Sequence, residues 1–498
     1  MHSDKKNVFF ITSTLPMIHG GRTKSLLQRA RLLNENGVDI TIISTNYNPE
    51  YDEVYTSFRT QKRVMENTRF GNIYDYYKER YNTEKSKLNW KELLFRQVGD
   101  LSKYVKVKRS SRNDRTYFYE NGIPKFVIKG LNSGKVEFFA LFQDWNFEPF
   151  KFFNINKKGF VHRIDTYDVK GFKCLQEFVM DDGNIYLTKN INKKGNIIKI
   201  SLGFAENIIE FSDEKELFTH FFNDIFSEND VIINDARLLD KSLLDSRVGK
   251  RIFQLHNSHL VNPLDTTSGV KNSFKTILSS NFPESDIIVT LTDKQKLDIV
   301  TKIPNLKNNI TVIPHSTKVS TIQYKKEKNH FGVICRLHPQ KNLKDAIKAF
   351  YLFDQEISGY YLDVFGEGES REELQSLVTH LRLEDKVIFH GNVQNVNQAY
   401  QRIFALLITS NFEGFGLNAL ESIANGTPVI TYDVNYGPTD IIDENSGWVA
   451  DYRSPESLKE KMLIAINNPK DTKEVQKRAE YFSEDNFVSK WLGVIGYD

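Results

Sequence analysis

Thr409–Ser410–Asn411–Phe412–Glu413–Gly414–Phe415–Gly416–Leu417–Asn418–Ala419–Leu420–Glu421 places two glutamates eight positions apart in the C-terminal third of a 498-residue chain. Gly414 and Gly416 carry no Cβ, so the backbone there can turn sharply and approach a bound group. From about Leu417 the spacing of Leu417, Leu420, Glu421 and Ile423 becomes helical. The amides near Leu417 and Asn418 then lie at a helix N-terminus, where free N–H groups and the helix dipole favour a phosphate. Glu413 stands just before that cradle and Glu421 about one turn inside it. That placement lets one carboxylate face a sugar and the other the hydroxyls of a ribose. The plainer alternative is a capped, buried strand–loop–helix with a solvated glutamate.

Around this run the pattern is that of an α/β unit beginning after about residue 325. Strands are predicted at His330–Ile334, Tyr361–Phe365, Val387–His390, Ala405–Thr409 and Pro428–Tyr432, with helices between them that carry apolar residues at threes and fours, such as Ile347 and Phe350. Arg336 and Lys341 directly follow the first of these strands. Ligands of open α/β sheets bind outside the carboxyl ends of strands. Two fixed cations there suit a diphosphate leaving group, whose negative charge grows in the transition state. A surface arginine and lysine in a loop are the alternative. Gly366–Glu367–Gly368 is only a fragment of a dinucleotide fingerprint and reads as a loop glycine pair near the site.

Towards the N-terminus, strand Val8–Thr12, the loop glycines Gly20–Gly21, a helix through Leu26, Leu27, Ala30 and Leu33, and strand Ile40–Ser44 argue a parallel sheet flanked by helices. Gly20–Gly21 has the placement of a loop that approaches a phosphate or sugar, although glycine pairs also simply make turns. From near residue 90 to about 210 the chain changes to short aromatic and β-branched runs. These are separated by Asn121–Gly122, Asn132–Ser133–Gly134, Lys158–Gly159, Asp182–Gly183 and Lys194–Gly195. Such dipeptides mark hairpins, so a meandering antiparallel sheet is expected as an insert. Helical spacing returns at Glu216–Phe226, and strands follow at Val231–Ile233, Arg251–Leu255, Ile287–Leu291 and Ile310–Pro314. His256 ends one of them in Leu255–His256–Asn257–Ser258–His259, either packed or turned to the site, whereas His259 reads as a loop residue. The tail Val475–Trp491 has helical spacing and is expected to pack back.

The bulk composition is 40% apolar and 26% charged, that of an ordinary globular protein, with a net charge of +3 that is too small to imply nucleic-acid binding. Cys174 and Cys335 match no zinc or disulfide spacing and fit a reducing cytoplasm. Lys5 and Lys6 before Val8–Ile11 imitate a short signal peptide, but polar Thr12–Ser13–Thr14 and the glycine loop favour a first strand. No run approaches the roughly 20 apolar residues of a membrane span. The reading is a cytoplasmic protein, with contact at the inner membrane face left open. The basic run Lys103, Lys106, Lys108, Arg109, Arg112 and Arg115 is either a solvated face or a track for an acidic polymer.

Gly20–Gly21, Arg336 with Lys341, the Glu413–x7–Glu421 run and the downstream Tyr436–Gly437–Pro438 together resemble the retaining nucleotide-sugar glycosyltransferases of family 4. That resemblance implies an α/β, GT-B fold: two Rossmann-like domains facing a cleft, here with an inserted antiparallel β-sheet domain. The expected bounds are 1–88 and 213–318 for the N-terminal domain, 89–212 for the insert, 319–478 for the nucleotide-sugar-binding domain and 479–498 for a helix crossing back. The insert and the Tyr–Gly–Pro–Thr–Asp–Ile–Ile run look like wall teichoic acid α-glycosyltransferases of the poly(glycerol-phosphate) α-glucosyltransferase type. They also look like glycosyltransferases of serine–aspartate repeat surface proteins.

The resemblance further implies roles. Arg336 and Lys341 would hold the donor diphosphate, Glu421 the ribose diol, and Glu413 the transferred sugar. Gly20–Gly21 would approach donor or acceptor, His256 would contact the sugar, and Gly416, Leu417 and Asn418 would serve the phosphates with Val393 near the base. The family pattern leaves the choice between His256 and His259 open. No cofactor or metal is implied beyond a UDP-N-acetylglucosamine or UDP-glucose donor. The acceptor is a teichoic acid or a serine-rich protein, and the insert binds acceptor, forms a homo-oligomer, or both. A different reading is a non-catalytic GT-B partner that stabilises an active subunit, but such partners tend to lose the cations and glutamates present here.

Overall fold

The computed structural model describes residues 7–17, 20–81, 87–108, 114–143, 148–204, 206–321 and 326–497. The chain divides into two units, Met1–Ile18, Ile40–Asp230 and Leu238–Gly249 forming the first and His19–Asp39, Val231–Arg237 and Lys250–Asp498 the second.

In the first unit, Val8–Thr12, Ile40–Ser44 and Arg69–Asn72 pair in parallel in that order. Their β-branched and aromatic residues suit strands buried on both faces. The rest is dominated by a ten-stranded antiparallel sheet running from Val105–Lys108 to Asn207–Phe211, in which every strand pairs with its neighbour in sequence. The turn dipeptides do what their chemistry allows. Asn121 and Gly122, with φ of 51° and 79°, link Arg115–Glu120 to Ile123–Lys129, both central residues being left-handed as a type I′ turn requires.

The insert is the expected antiparallel meander with one addition. It opens with a helix, Trp90–Val98, not with a strand, because Asn89 and Glu92 form a reciprocal capping box and Leu93 and Leu94 are buried. Several of the insert's aromatic residues pack inward. Phe118 stacks on Phe126 at 4.3 Å and Phe139 on Phe153 at 4.4 Å, all four inside the core. The exposed apolar residues are mainly aliphatic, among them Val105, Val107, Ile208 and Ile209 on the two edge strands. Lys106 and Lys108 share the fully exposed edge strand, and Arg115 lies over the Phe138 ring. Arg109 and Arg112 fall outside the described residues.

The second unit holds the parallel strands Val231–Asn234, Lys250–Gln254, Ile287–Thr290 and Ile310–Val312. It also holds a six-stranded parallel sheet. Its order is Val387–Gly391, Tyr361–Phe365, His330–Ile334, Ala405–Ile408, Val429–Tyr432 and Gly447–Ala450. The order reverses between His330–Ile334 and Ala405–Ile408, which is the switch point where doubly wound sheets bind ligands. The tail differs from the expected single helix. It forms Thr472–Glu480 and Glu484–Ile495, separated at Ser483, whose hydroxyl accepts the Asn486 amide and starts a new helix. The last helix packs on Gly21–Glu35 through Arg31–Glu484 at 3.0 Å and Arg29 over the Trp491 ring. Among the described residues no helix is long and apolar enough to cross a membrane.

Candidate active site

At the switch point, strand His330–Ile334 is buried along its whole length and delivers Cys335 and Arg336 to its carboxyl end. Gly366 and Gly368 press flat on this segment. A Cβ on Gly366 would stand 1.9 Å from the Cys335 carbonyl oxygen, and one on Gly368 2.2 Å from that of Leu337. The Leu337 amide donates to Glu367 O at 2.9 Å. The glycines therefore fix the backbone that presents Arg336, whose side chain is exposed and makes no ion pair among the described residues. Burial pushes the Cys335 thiol up to about 12, so it is not a thiolate nucleophile.

Lys341 ends the turn Pro339–Lys341 and its ammonium donates to Glu413 Oε1 at 2.6 Å. Ser410 Oγ donates to the same oxygen at 2.6 Å. Both bonds fall on Oε1; Oε2 has none among the described residues. The two loops are laced by Asn411 N to Gln340 O (2.8 Å), Gln340 Nε2 to Phe412 O (3.0 Å) and Thr409 Oγ1 to Lys341 O (3.0 Å). Glu413 is thereby held at 6% exposure, a buried carboxylate that needs such partners.

The glycines after it are constrained by close approach. A Cβ on Gly414 would lie 1.9 Å from the His256 carbonyl, which sets the two segments in contact. Gly416 has φ +88° and caps helix Leu417–Ala424 without a side-chain hydrogen bond, leaving the first-turn amides of Leu417 and Asn418 the free ends of a helix dipole. Val393 and Leu417 pack on one cluster. Gly21 comes to Leu417, its Cβ position 3.2 Å from Cδ1, whereas Gly20 has open space around it. One turn on, Glu421 is ion-paired with Lys24, and its other oxygen accepts from Tyr400 Oη at 2.9 Å.

The two histidines differ. His256 Nε2 bonds Asp235, which also takes Arg29. Burial alone would raise Asp235, but the Arg29 charge and the His256 and Arg29 hydrogen bonds bring it down to about 2. His259 is fully buried, and neither of its ring nitrogens has a hydrogen-bond partner among the described residues; its ring stacks on Tyr436. It lies in the loop after strand Lys250–Gln254, as its position suggested, but is buried there.

Burial holds three rings neutral, pulling His315 to about 3 and His259 and His162 to about 4. An unfolded histidine titrates near 6.5, so below that pH the unfolded chain takes up protons that the fold refuses. Their contribution is complete above about pH 6.5 and lost as pH falls towards 4 and 3. Urea unfolding is expected to show stability falling by at least about 3 kcal/mol between pH 6.5 and 4, and His315→Gln to flatten that slope.

The structure thus gathers Arg336, Lys341, Glu413, Gly416, Leu417, Asn418, Gly21 and Glu421 around one switch point, with the His256 backbone against Gly414, and ties Val393 to them through the apolar cluster it shares with Leu417. Sequence reading missed Asp235, Arg29 and Lys24. Asp235 had a signal: it directly follows strand Val231–Asn234, the same carboxyl-end position that singled out Arg336. Lys24, one helical turn beyond Gly21, had none.

A switch-point site of an exposed cation with no ion pair among the described residues, a lysine–glutamate pair and a bare helix N-terminus, on a GT-B fold, is suited to holding a diphosphate. Residues 317–482 match the family described as Glycosyl transferases group 1. The chain is similar to the poly(ribitol-phosphate) α-N-acetylglucosaminyltransferase of Staphylococcus aureus (strain COL), 24% identical over 98% of this chain and 99% of that protein. It is also similar to the poly(glycerol-phosphate) α-glucosyltransferase of Bacillus subtilis (strain 168), 27% identical over 97% of this chain and 74% of that one. The crystal structure of TarM shares the fold with a TM-score of 0.88, at 22% identity over 99% of both chains.

Proposed function

We propose that the chain transfers N-acetylglucosamine or glucose, with retention, from a UDP-sugar to hydroxyls of a polyol-phosphate polymer of the bacterial envelope. The observation that carries this is the Ser410–Glu413–Lys341 arrangement beside the unpaired Arg336 at the sheet's switch point. Arg336, Lys341 and the amides of Leu417 and Asn418 bind the donor diphosphate and stabilise its charge as the bond from sugar C1 to the phosphate oxygen breaks. Glu413 Oε2 meets the sugar while Oε1 stays on Lys341. Glu421 binds the ribose diol on exchanging Lys24 for it, and Val393 lies by the base. The acceptor hydroxyl attacks C1 from the face the diphosphate leaves, and its proton passes to the departing phosphate oxygen.

Of the two histidines, His256 is the sugar contact, because its ring is partly exposed and oriented by Asp235, whereas His259 is fully buried. The polyol-phosphate acceptor is supported by two relatives similar along nearly this whole chain and named for such polymers. The exposed apolar residues on both edge strands of the insert support self-association there. The test offers UDP-N-acetylglucosamine and UDP-glucose with poly(ribitol phosphate), poly(glycerol phosphate) or a serine–aspartate repeat protein. Transfer to a polyol phosphate is expected. Transfer to the protein alone would replace this acceptor, and absence of all donor turnover would leave the non-catalytic partner.

A further inference from the structure

Lys271 is a cation that the donor site does not use. Residues 260–270 form a hairpin-like loop, with a bridge between Leu260 and Val270, Val261 N donating to Gly269 O at 2.8 Å, and Lys271 N donating to His259 O at 2.9 Å. The loop fixes the Lys271 backbone beside His259. Its ammonium donates to Ser258 O at 3.1 Å and stands 5.8 Å from the centre of the Phe412 ring. Phe412 immediately precedes Glu413, and the His256 carbonyl abuts Gly414. The ammonium is therefore held where the 256–259 segment and the Phe412–Gly414 loop come together. It is paired with no carboxylate among the described residues, although burial pulls it below the ordinary lysine range. A half-buried ammonium with one carbonyl and a ring face for partners retains donor capacity for an anion.

The donor's own diphosphate is already matched by Arg336, Lys341 and the helix amides. We propose that Lys271 binds a phosphodiester of the acceptor polymer, setting a neighbouring hydroxyl against the sugar on Glu413. This rests on the glycosyltransferase reading above and adds the acceptor determinant to it. A phosphate on this lysine could come from acceptor or donor, and the two are separable by experiment. Lys271 is a binding residue here, outside the bond-making chemistry.

The experiment compares the full chain with Lys271→Met, which keeps the length of the side chain, and Lys271→Arg, which keeps the charge. Three quantities are measured: UDP-sugar hydrolysis without acceptor, KM for the donor, and KM for a polyol-phosphate polymer. Loss of one charge-assisted bond should raise the polymer KM by about tenfold to a hundredfold in Lys271→Met. Hydrolysis and donor KM should remain within about twofold, and Lys271→Arg should recover most of the loss. The polymer KM of Lys271→Met should also depend less steeply on salt. An unchanged polymer KM overturns the proposal. Equal loss of hydrolysis or donor binding assigns the ammonium to the donor and overturns it as well. A wild-type protein that cleaves no UDP-sugar, or glycosylates only a protein, overturns the underlying reading and this inference with it.

Discussion

Glu413→Gln is expected to lower kcat about a hundredfold to a thousandfold, the range for deleting one preorganised charged group at a reacting centre, while the donor KM changes little. The carboxylate is buried, and Oε1 receives both Lys341 and Ser410 at 2.6 Å. An amide of the same shape preserves packing, weakens the hold on Lys341 and, in the role proposed above, removes the charge opposite the sugar. Its effect should therefore separate from that of Lys341→Met, which strips the diphosphate of a cation and raises the donor KM as well. Initial rates with varied UDP-sugar and saturating polymer distinguish the two patterns. A variant with kcat within threefold of the wild type would remove Glu413 from the chemistry.

Asp235→Asn is expected to destabilise the second unit by about 3–5 kcal/mol, the usual consequence of removing one partner from a buried ion pair. Arg29 and Asp235 are each 3% exposed. Arg29 comes from helix Gly21–Glu35, lies over the Trp491 ring at 4.6 Å, and loses the buried carboxylate it pairs with in that variant. The double variant Arg29→Met/Asp235→Leu should regain most of the loss, since well-packed apolar replacements of a buried pair are often neutral. Urea midpoints of the two variants provide the check. A mild single variant would mean that the pair is hydrated, contrary to its burial. Because Asp235 also holds His256, both variants should loosen the 256–259 segment.

Much of this molecule was legible in its sequence, and the reasons are local. Val8–Thr12, Ile40–Ser44, His330–Ile334 and Tyr361–Phe365 lie where β-branched and aromatic runs end at polar or glycine residues, and a buried parallel strand gives that signal strongly. The turn glycines of the insert were equally plain, since few residues other than Asn and Gly accept a left-handed backbone. Strand Gly447–Ala450 was not legible: four residues, one of them glycine, show no period. The tail was misread because Val475 and Trp491 keep helical spacing across a break that only the Ser483 cap reveals. For the site, the carboxyl-end rule singled out Arg336 and Lys341, and the glycine run before a helix singled out Glu413. Neither could order the histidines, because what separates His256 from His259 is a partner, Asp235, twenty-one residues upstream. Long-range pairing of that kind leaves no mark in a local window, and the same holds for Lys24 with Glu421.

The neighbour-to-neighbour pairing of the ten-stranded sheet bears on how the chain is made. Each of its hairpins closes a short loop, so little chain entropy is spent before contacts form. Parallel strands such as His330–Ile334 and Ala405–Ile408 meet only after some seventy intervening residues have been ordered. Low contact order favours rapid condensation, and synthesis proceeds from the N-terminus. On the ribosome the meander therefore condenses early, while the switch-point sheet that carries Arg336 and Glu413 assembles last.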